Sequence, residues 1–439
     1  MKLIITQSVL AELLETAKNG ISTKPIDPIL GSLLIEASDS GRLTVIGTDL
    51  NVSIKTTAIT NIIRSGVVAL NAKLLVDTVN NLGSGELDIE VSDRACVISH
   101  STGKCRIIGG NPEDFPSIPE TENPTEISIP SKKLQAALEA CLYCSSADET
   151  KLILTGVHFQ LQGENWSCAS TDGHRLAFVS SKLERNYEPL SFTVPRRSLT
   201  ELGKILATTA ENNSCTLKVA NNTIQFILPN AELTSRLLEG EFPRINNLIP
   251  RSFANELIVE RKGMEIILKR ISHFAEKKHK IVKILWEVND QQATLMTGNT
   301  DIGDAVDSLL MKTQTSIGEN IGIGVNSSYL QEALKHISTD EILFRFNKPL
   351  QPVIISPVGG LLDQLTLIMP VDVQDFDKPE NLATTSKPET ETVDISEQEV
   401  SNETTNIAET SPSDTASTSK SKSRKRNKQE AKPVETAAL

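Results

Sequence analysis

Thr171-Asp172-Gly173-His174-Arg175-Leu176-Ala177 lies between two runs of alternating character, Trp166 to Ser170 and Leu176 to Ser180. Asp-Gly between such runs is the strongest short-range signal for a tight hairpin turn, because glycine accepts a positive φ without a Cβ clash. The stretch therefore predicts a strand, a turn and a strand, with His174 and Arg175 at the rim of a sheet. Taken alone it reads as a polar turn with a solvated arginine and a hydrogen-bonded histidine, the common outcome for a short motif. Its recurrence changes that reading.

Four landmarks repeat in order along the chain, and a fixed period is the mark of a repeated structural unit. Ile5 to Leu14, Ile129 to Leu138 and Val259 to Leu268 share a β-type residue leading into an amphipathic helix, at offsets of 124 and 130. Leu70 to Leu75, Val194 to Leu199 and Val325 to Leu330 follow at offsets of 124 and 131. The Thr-Asp pair recurs as Thr48-Asp49, Thr171-Asp172 and Thr300-Asp301, at 123 and 129. Phe115-Pro116, Phe242-Pro243 and Met369-Pro370 close the units at a spacing of 127.

Within Arg197 to Leu206 the apolar positions Leu199, Leu202 and Leu206 share one helix face, and Arg197, Glu201 and Lys204 the other. Pro195 sits near the first turn, where its missing N–H costs nothing. Alternating runs such as Leu43 to Gly47, Val157 to Leu161 and Cys215 to Ile227 lie between the helices. The expected fold is α+β: three similar domains, each with two helices packed on antiparallel sheet. Pro-containing connectors place the domains at 1–120, 125–252 and 253–377, followed by a tail, 378–439.

The chain of 439 residues is too long for one core. Residues 1–377 carry 35 Lys and Arg against 45 Asp and Glu, so the folded part is acidic. Bulk charge therefore disfavours non-specific nucleic-acid binding, which needs phosphates neutralised by Lys and Arg. The six cysteines, with no secretory signal and no apolar run of membrane-spanning length, read as reduced thiols of a soluble intracellular protein. Cys141 and Cys144 form a C-x-x-C pair without a second ligand pair nearby, which argues for buried thiols over zinc or redox chemistry. Nothing points to a metal or a cofactor. The tail is rich in Pro, Ser, Thr and Glu and ends in the basic run Lys420 to Lys428; with almost no large apolar residue it is expected to be disordered, its basic end a loose phosphate-binding tether.

Taken together, the three units, Thr171 to Leu176, Glu239-Gly-Glu-Phe-Pro243 and Leu367-Ile-Met-Pro370 resemble the beta sliding clamp of the bacterial replicative DNA polymerase, from Met1 to about Val373. The resemblance implies three DNA-clamp domains per chain and two chains joined head to tail in a closed ring around duplex DNA, a heterologous contact that closes. It also implies a non-catalytic cytoplasmic, nucleoid-associated protein that confers processivity. A ring is held by topology, so its inner helices need only weak contacts, which suits the acidic total. By resemblance and position the DNA-facing candidates are Lys24, Lys73, Arg196, Arg197 and Lys204. Leu152 and Ile153 stand in a loop where some relatives carry aromatics that touch DNA.

The resemblance further implies a hydrophobic groove for short peptides of polymerase, clamp loader and repair proteins. Its positions here are Leu154, Thr171, Gly173, His174, Arg175, Leu176, Pro243, Leu248, Asn326, Tyr329, Met369, Pro370 and Val371, with His174, Arg175 and Asn326 expected to satisfy peptide polar groups. The ring contact should pair Cys105 and Ile107 of one chain with His273 and Phe274 of the other. Two departures from the family pattern stand out: Asn247 occupies a commonly basic position, and Asp372 and the tail follow the Met-Pro pair, where the tail is expected to compete for the groove.

An enzyme using Asp172 and His174 is one competing reading. No G-x-S-x-G elbow, P-loop or H-E-x-x-H accompanies them, and Thr-Asp recurs at residues 48 and 300 without a histidine two positions on. A dedicated DNA-binding regulator is the other; it would bind linear DNA with strong salt dependence, which the acidic core opposes.

Overall fold

The computed structural model describes residues 1–373 apart from 23, 119–121, 210–212, 277–279, 287–291, 300–302 and 317–319. The tail with its basic run and the third Thr-Asp pair lie outside the described residues. In the first repeat, strands β1 (Lys2–Thr6), β2 (Ser32–Ala37), β3 (Arg42–Thr48), β4 (Val52–Ile59), β5 (Asn61–Arg64), β6 (Gly66–Asn71), β7 (Glu86–Ser92), β8 (Ala95–His100) and β9 (Gly103–Ile108) accompany helices α1 (Gln7–Lys18) and α2 (Ala72–Asn80). The second repeat has β10 (Thr125–Pro130), α3 (Ser131–Cys141), β11 (Gly156–Thr171), β12 (Arg175–Pro195), α4 (Arg196–Thr208), β13 (Ser214–Val219), β14 (Thr223–Ile227) and β15 (Ala231–Arg236). The third has β16 (Asn255–Glu260), α5 (Arg261–Ile271), β17 (Ile281–Trp286), β18 (Gln292–Asn299), β19 (Gly303–Ser316), β20 (Ile321–Asn326), α6 (Ser327–Lys335), β21 (Glu341–Phe346), β22 (Val353–Pro357) and β23 (Asp363–Ile368).

Every one of these helices starts where a strand stops, as the repeated β-residue-then-helix pattern requires. Helical spacing puts Leu10, Leu13, Leu14 and Ala17 of α1, and Leu199, Leu202, Ile205 and Leu206 of α4, on buried faces. Asn71 caps α2 through Leu74 N (2.9 Å), and Asn326 caps α6 through Ser328 N (2.9 Å) and Tyr329 N (3.3 Å). The paired helices pack together within each repeat, over three apolar cores centred on Leu14, Phe226 and Phe344.

The connectors divide the chain but not the sheets. An eight-stranded sheet runs β10-β13-β14-β15-β4-β3-β2-β6, and the second repeat enters a ten-stranded one, β11-β12-β23-β22-β21-β16-β19-β18-β17-β20. The sheets thus cross both domain boundaries. At the first crossing β15 pairs antiparallel with β4, and Val52 and Ile54 of β4 enter the core of the second domain. At the second, β23 pairs antiparallel with β12, Arg175 opposite Ile368.

The opening hairpin forms, with a longer turn than Asp-Gly alone predicts. Thr171 pairs with Leu176, so residues 172–175 make the turn and only Gly173 has positive φ, at 95°. The side chains close it. Thr171 Oγ1 donates to Arg175 O (2.6 Å) and accepts from Gly173 N (3.1 Å), while Asp172 Oδ1 accepts from His174 N (2.9 Å) and Arg175 N (3.0 Å). Thr48-Asp49 builds the same device: Thr48 Oγ1 donates to Val52 O and accepts from Leu50 N, and Asp49 Oδ1 accepts from Asn51 N and Val52 N. Thr-Asp is therefore a turn-closing pair, which accounts for its recurrence without chemistry.

Candidate partner groove and nucleic-acid interface

The junction of the second and third domains has its own apolar cluster, formed by Leu154, Ala169, Leu176, Phe242, Ile245, Ile354 and Leu367. Around it the structure gathers most of the predicted groove positions. Leu154, Thr171 and Leu176 are buried, and Pro243, Leu248, Gly173, His174 and Met369 are exposed. Tyr329 lies 6.5 Å from the His174 ring, and Met369 N donates to His174 O (2.9 Å). Beyond Pro370, Val371 N donates to Gly324 O (2.8 Å), so the Met-Pro segment bridges from the hairpin to β20. Phe115 and Phe242 are buried whereas Met369 is 43 % exposed, so the third copy of the closing motif presents its side chain instead of packing it.

Two predicted peptide contacts are already committed within the chain. Arg175 is only 9 % exposed, and all three guanidinium nitrogens have partners: Nε donates to Asp172 Oδ2 (2.9 Å), Nη1 to Glu332 Oε2 and Nη2 to Tyr143 O (3.0 Å). Its charge lies over the Tyr329 ring at 4.5 Å. Burial opposes the charge, yet Glu332 and Asp172 hold the Arg175 pKa above its ordinary value. Arg175 thus serves as a strut at the junction, tying both domains together. Asn326 likewise spends its side-chain oxygen on capping α6. Sequence reasoning missed Glu332 and Tyr143, because their roles depend on contacts between distant segments.

The DNA-facing candidates divide. Arg196 and Arg197 open α4 and line a cleft of about 950 Å³ together with Asn51, Leu152 and Arg236. Leu152 is 60 % exposed there, whereas Ile153 packs on the junction cluster. Arg197 is paired to Asp49 and also donates to Ile21 O (3.3 Å), and Lys204 is paired to Glu201 (2.8 Å). Lys73 is exposed in the first turn of α2. Lys24 lies in the irregular segment after α1, not on a polar helix face or at a helix start.

At the far end of the first domain the expected contact set needs correction. On β9, Ile107 is 3 % exposed and packs in the first core, facing inward with Cys105, while Ile108 is 64 % exposed. Cys96 pairs with Ile107 and Ile98 with Cys105, and the two-residue period then sends Lys104, Arg106 and Ile108 outward. On the third domain His273 is exposed and Phe274 half-buried, just after α5.

Burial raises the thiol pKa of Cys96 to about 11 and of Cys144 and Cys215 to about 12, which keeps them as unreactive thiols. Among the described residues no three His, Cys, Asp or Glu side chains are placed to hold a metal ion, and no helix is long and apolar enough to cross a membrane.

Family profiles of the DNA polymerase III beta subunit match the chain in three blocks: the N-terminal domain over residues 1–119, the central domain over 128–244 and the C-terminal domain over 246–371. The chain is 32% identical over 391 residues to a beta sliding clamp of Synechocystis sp., covering 84% of this chain and 99% of that one. It is 28% identical over 382 residues to that of Bacillus subtilis, with 84% and 99% covered. The solved DNA polymerase sliding clamp of Bacillus subtilis matches at TM-score 0.79 and 27% identity, over 85% of this chain and 100% of that one. A Pseudomonas aeruginosa sliding clamp bound to griselimycin has the same fold, at TM-score 0.80 and 20% identity over the same shares. Three matching domains in order, on a fold in which strands pair across both domain boundaries, place the chain in the DNA polymerase III beta subunit family, as a sliding clamp that serves the polymerase without catalytic chemistry of its own.

Proposed function

We propose that two copies of this chain close head to tail around duplex DNA, with β9 of one copy pairing along the first half of β19 of the other. The carrying observation is the repeated junction. At both internal boundaries the last strand of one unit pairs with the stretch just after the Thr-Asp turn of the unit before it, β15 with β4 and β23 with β12. The equivalent elements left over are β9 and residues 303–310 of β19. Among the described residues β9 pairs only with β8, and those β19 residues only with β18. Each is a free edge that a second copy would complete. Lys104 and Arg106 on β9 would complement Asp304 on β19, while Asp307 is already paired to Arg270.

The same reading gives Lys24, Lys73, Arg196, Arg197 and Lys204 to the duplex, with Arg197 and Lys204 exchanging a carboxylate for phosphate. Short peptides of the polymerase, the clamp loader and repair proteins would occupy the groove around Leu154, Leu176, Leu248, Tyr329 and Met369. A tethered partner gains a high effective concentration at the primer end. The domains divide near 120–125 and 252–253, and the protein works at the nucleoid in the cytoplasm.

Retention on nicked circular DNA after loading tests encirclement: cutting the circle should release the protein from the ends, and persistence on the linear product would reject a ring. Griselimycin tests the groove. Labelled compound should bind the full chain, and Met369→Ala should weaken it; equal affinity for both would reject the assignment. Deleting 378–439 should tighten it if the tail competes.

A further inference from the structure

The loop that walls the groove has little main-chain support. Its entrance is tied by Leu238 N to Thr193 O (2.9 Å) and its exit by Leu248 N to Ile245 O (2.9 Å). Between them, among the described residues, 239–243 makes no main-chain hydrogen bond. What holds it is Phe242. One face of the ring packs on the junction cluster with Leu154 and Leu176. The other lies flat on the imidazole of His158, centroids 4.6 Å apart and planes within 3°. His158 stands on β11 opposite Thr193, and its Nδ1 is 3.0 Å from Thr193 Oγ1. Behind this stack opens a polar cleft of about 830 Å³, whose charged lining is Glu239, Glu241 and Arg244; the facing strands and the 221–222 turn contribute Gln160, Ser191, Thr193, Asn221 and Asn222.

We infer that His158 is a positioning residue for the partner groove: its neutral ring clamps Phe242 and so holds Pro243 and Leu248 at the groove wall, and protonation in weak acid releases them. The inference rests on the groove reading above. A neutral imidazole stacks on an aromatic face and shares the Thr193 hydroxyl, whereas a charged one must recover solvation, and the cleft with Glu239 and Glu241 is the place that offers it. Burial lowers the pKa of His158 from its ordinary value, so the clamp is neutral at pH 7 to 8. The sign follows. Because the folded state favours the neutral ring, support is complete above about pH 6.5, the ordinary histidine value, and is lost as pH falls from there through the lowered folded value.

Labelled griselimycin, titrated against the full chain from pH 8 to pH 5, should bind the wild-type protein less tightly as His158 protonates. His158→Phe keeps the stack but cannot titrate, so it should remove that part of the pH dependence. His158→Ala should weaken binding about threefold to tenfold at pH 8, the worth of one aromatic stack. The same pH profile in wild type and His158→Phe would overturn the inference while leaving the groove intact. Failure of the wild type to bind at pH 8 would instead count against the groove reading. A ligand-free measurement then still decides the clamp: hydrogen-exchange protection of 238–248, corrected for the intrinsic pH effect, should fall between pH 8 and pH 5.5 in wild type and hold in His158→Phe. Equal protection changes in both would reject it.

Discussion

Leu50 holds φ at 75°, a conformation that costs an L-residue about 1 kcal/mol. It occupies the place of Gly173 in the second copy of the turn, where φ is 95°. The Thr-Asp pair is the reason it can stay there: Thr48 accepts from Leu50 N, and Asp49 accepts from the next two N–H groups. The Leu50 side chain is 52 % exposed, so little burial would be lost on replacement. Leu50→Asn should therefore raise stability by up to about 1 kcal/mol, since asparagine tolerates this region. The thermal midpoint would show it, and a clear drop would mean that Leu50 is kept for a contact elsewhere. Gly173→Ala should go the other way, as the new Cβ has open space but the wrong backbone.

At the scale of elements, β20 and the Met-Pro segment depend on one missing side chain. A Cβ on Gly324 would overlap Val373 Cγ2 and stand 2.8 Å from Val371 O. Neither neighbour is the end of a long flexible chain, so the segment itself must move. Gly324→Ala should displace Met369 to Val373 and raise the hydrogen exchange of Val371 N–H while β20 keeps its pairing with β17; unchanged exchange would show that the segment tolerates the side chain. At the first junction the equivalent position to Arg175 is Val52, which enters the second core, and Arg197 of α4 reaches Asp49 instead. The two junctions share strand pairing but differ in side chains, and only the second gathers the predicted groove residues.

For the whole molecule the repeated junction makes a sharp distinction between two adjacent isoleucines. Ile107→Asp puts a charge into the first core and should cost enough stability to unfold that domain. Ile108→Asp changes an exposed residue on a free strand edge; it should leave the thermal midpoint nearly unchanged and yield monomers in sedimentation. A dimer unaffected by Ile108→Asp would place the contact elsewhere.

Much of this organisation was legible along the chain because it is periodic. Amphipathic spacing marks the six α-helices among the described residues, alternation marks the strands, and the recurrence of Thr-Asp and of the Phe-Pro, Phe-Pro, Met-Pro series at near-constant offsets shows three copies of one unit. Those signals are local, and local physics determines them. Ring-edge parity was not legible: Ile107 and Ile108 are equally apolar, and only pairing of β9 with β8 decides which one faces water. Nor was the strut at the junction, since Arg175 meets Glu332 across 157 positions of chain and Tyr143 across 32. The amino-acid order by itself determined the repeat, the helices and the turn chemistry, because each needs only neighbours along the chain. The tertiary structure decided which polar groups are spent inside and which edges remain open, because desolvation and strand pairing act only between segments that folding brings together.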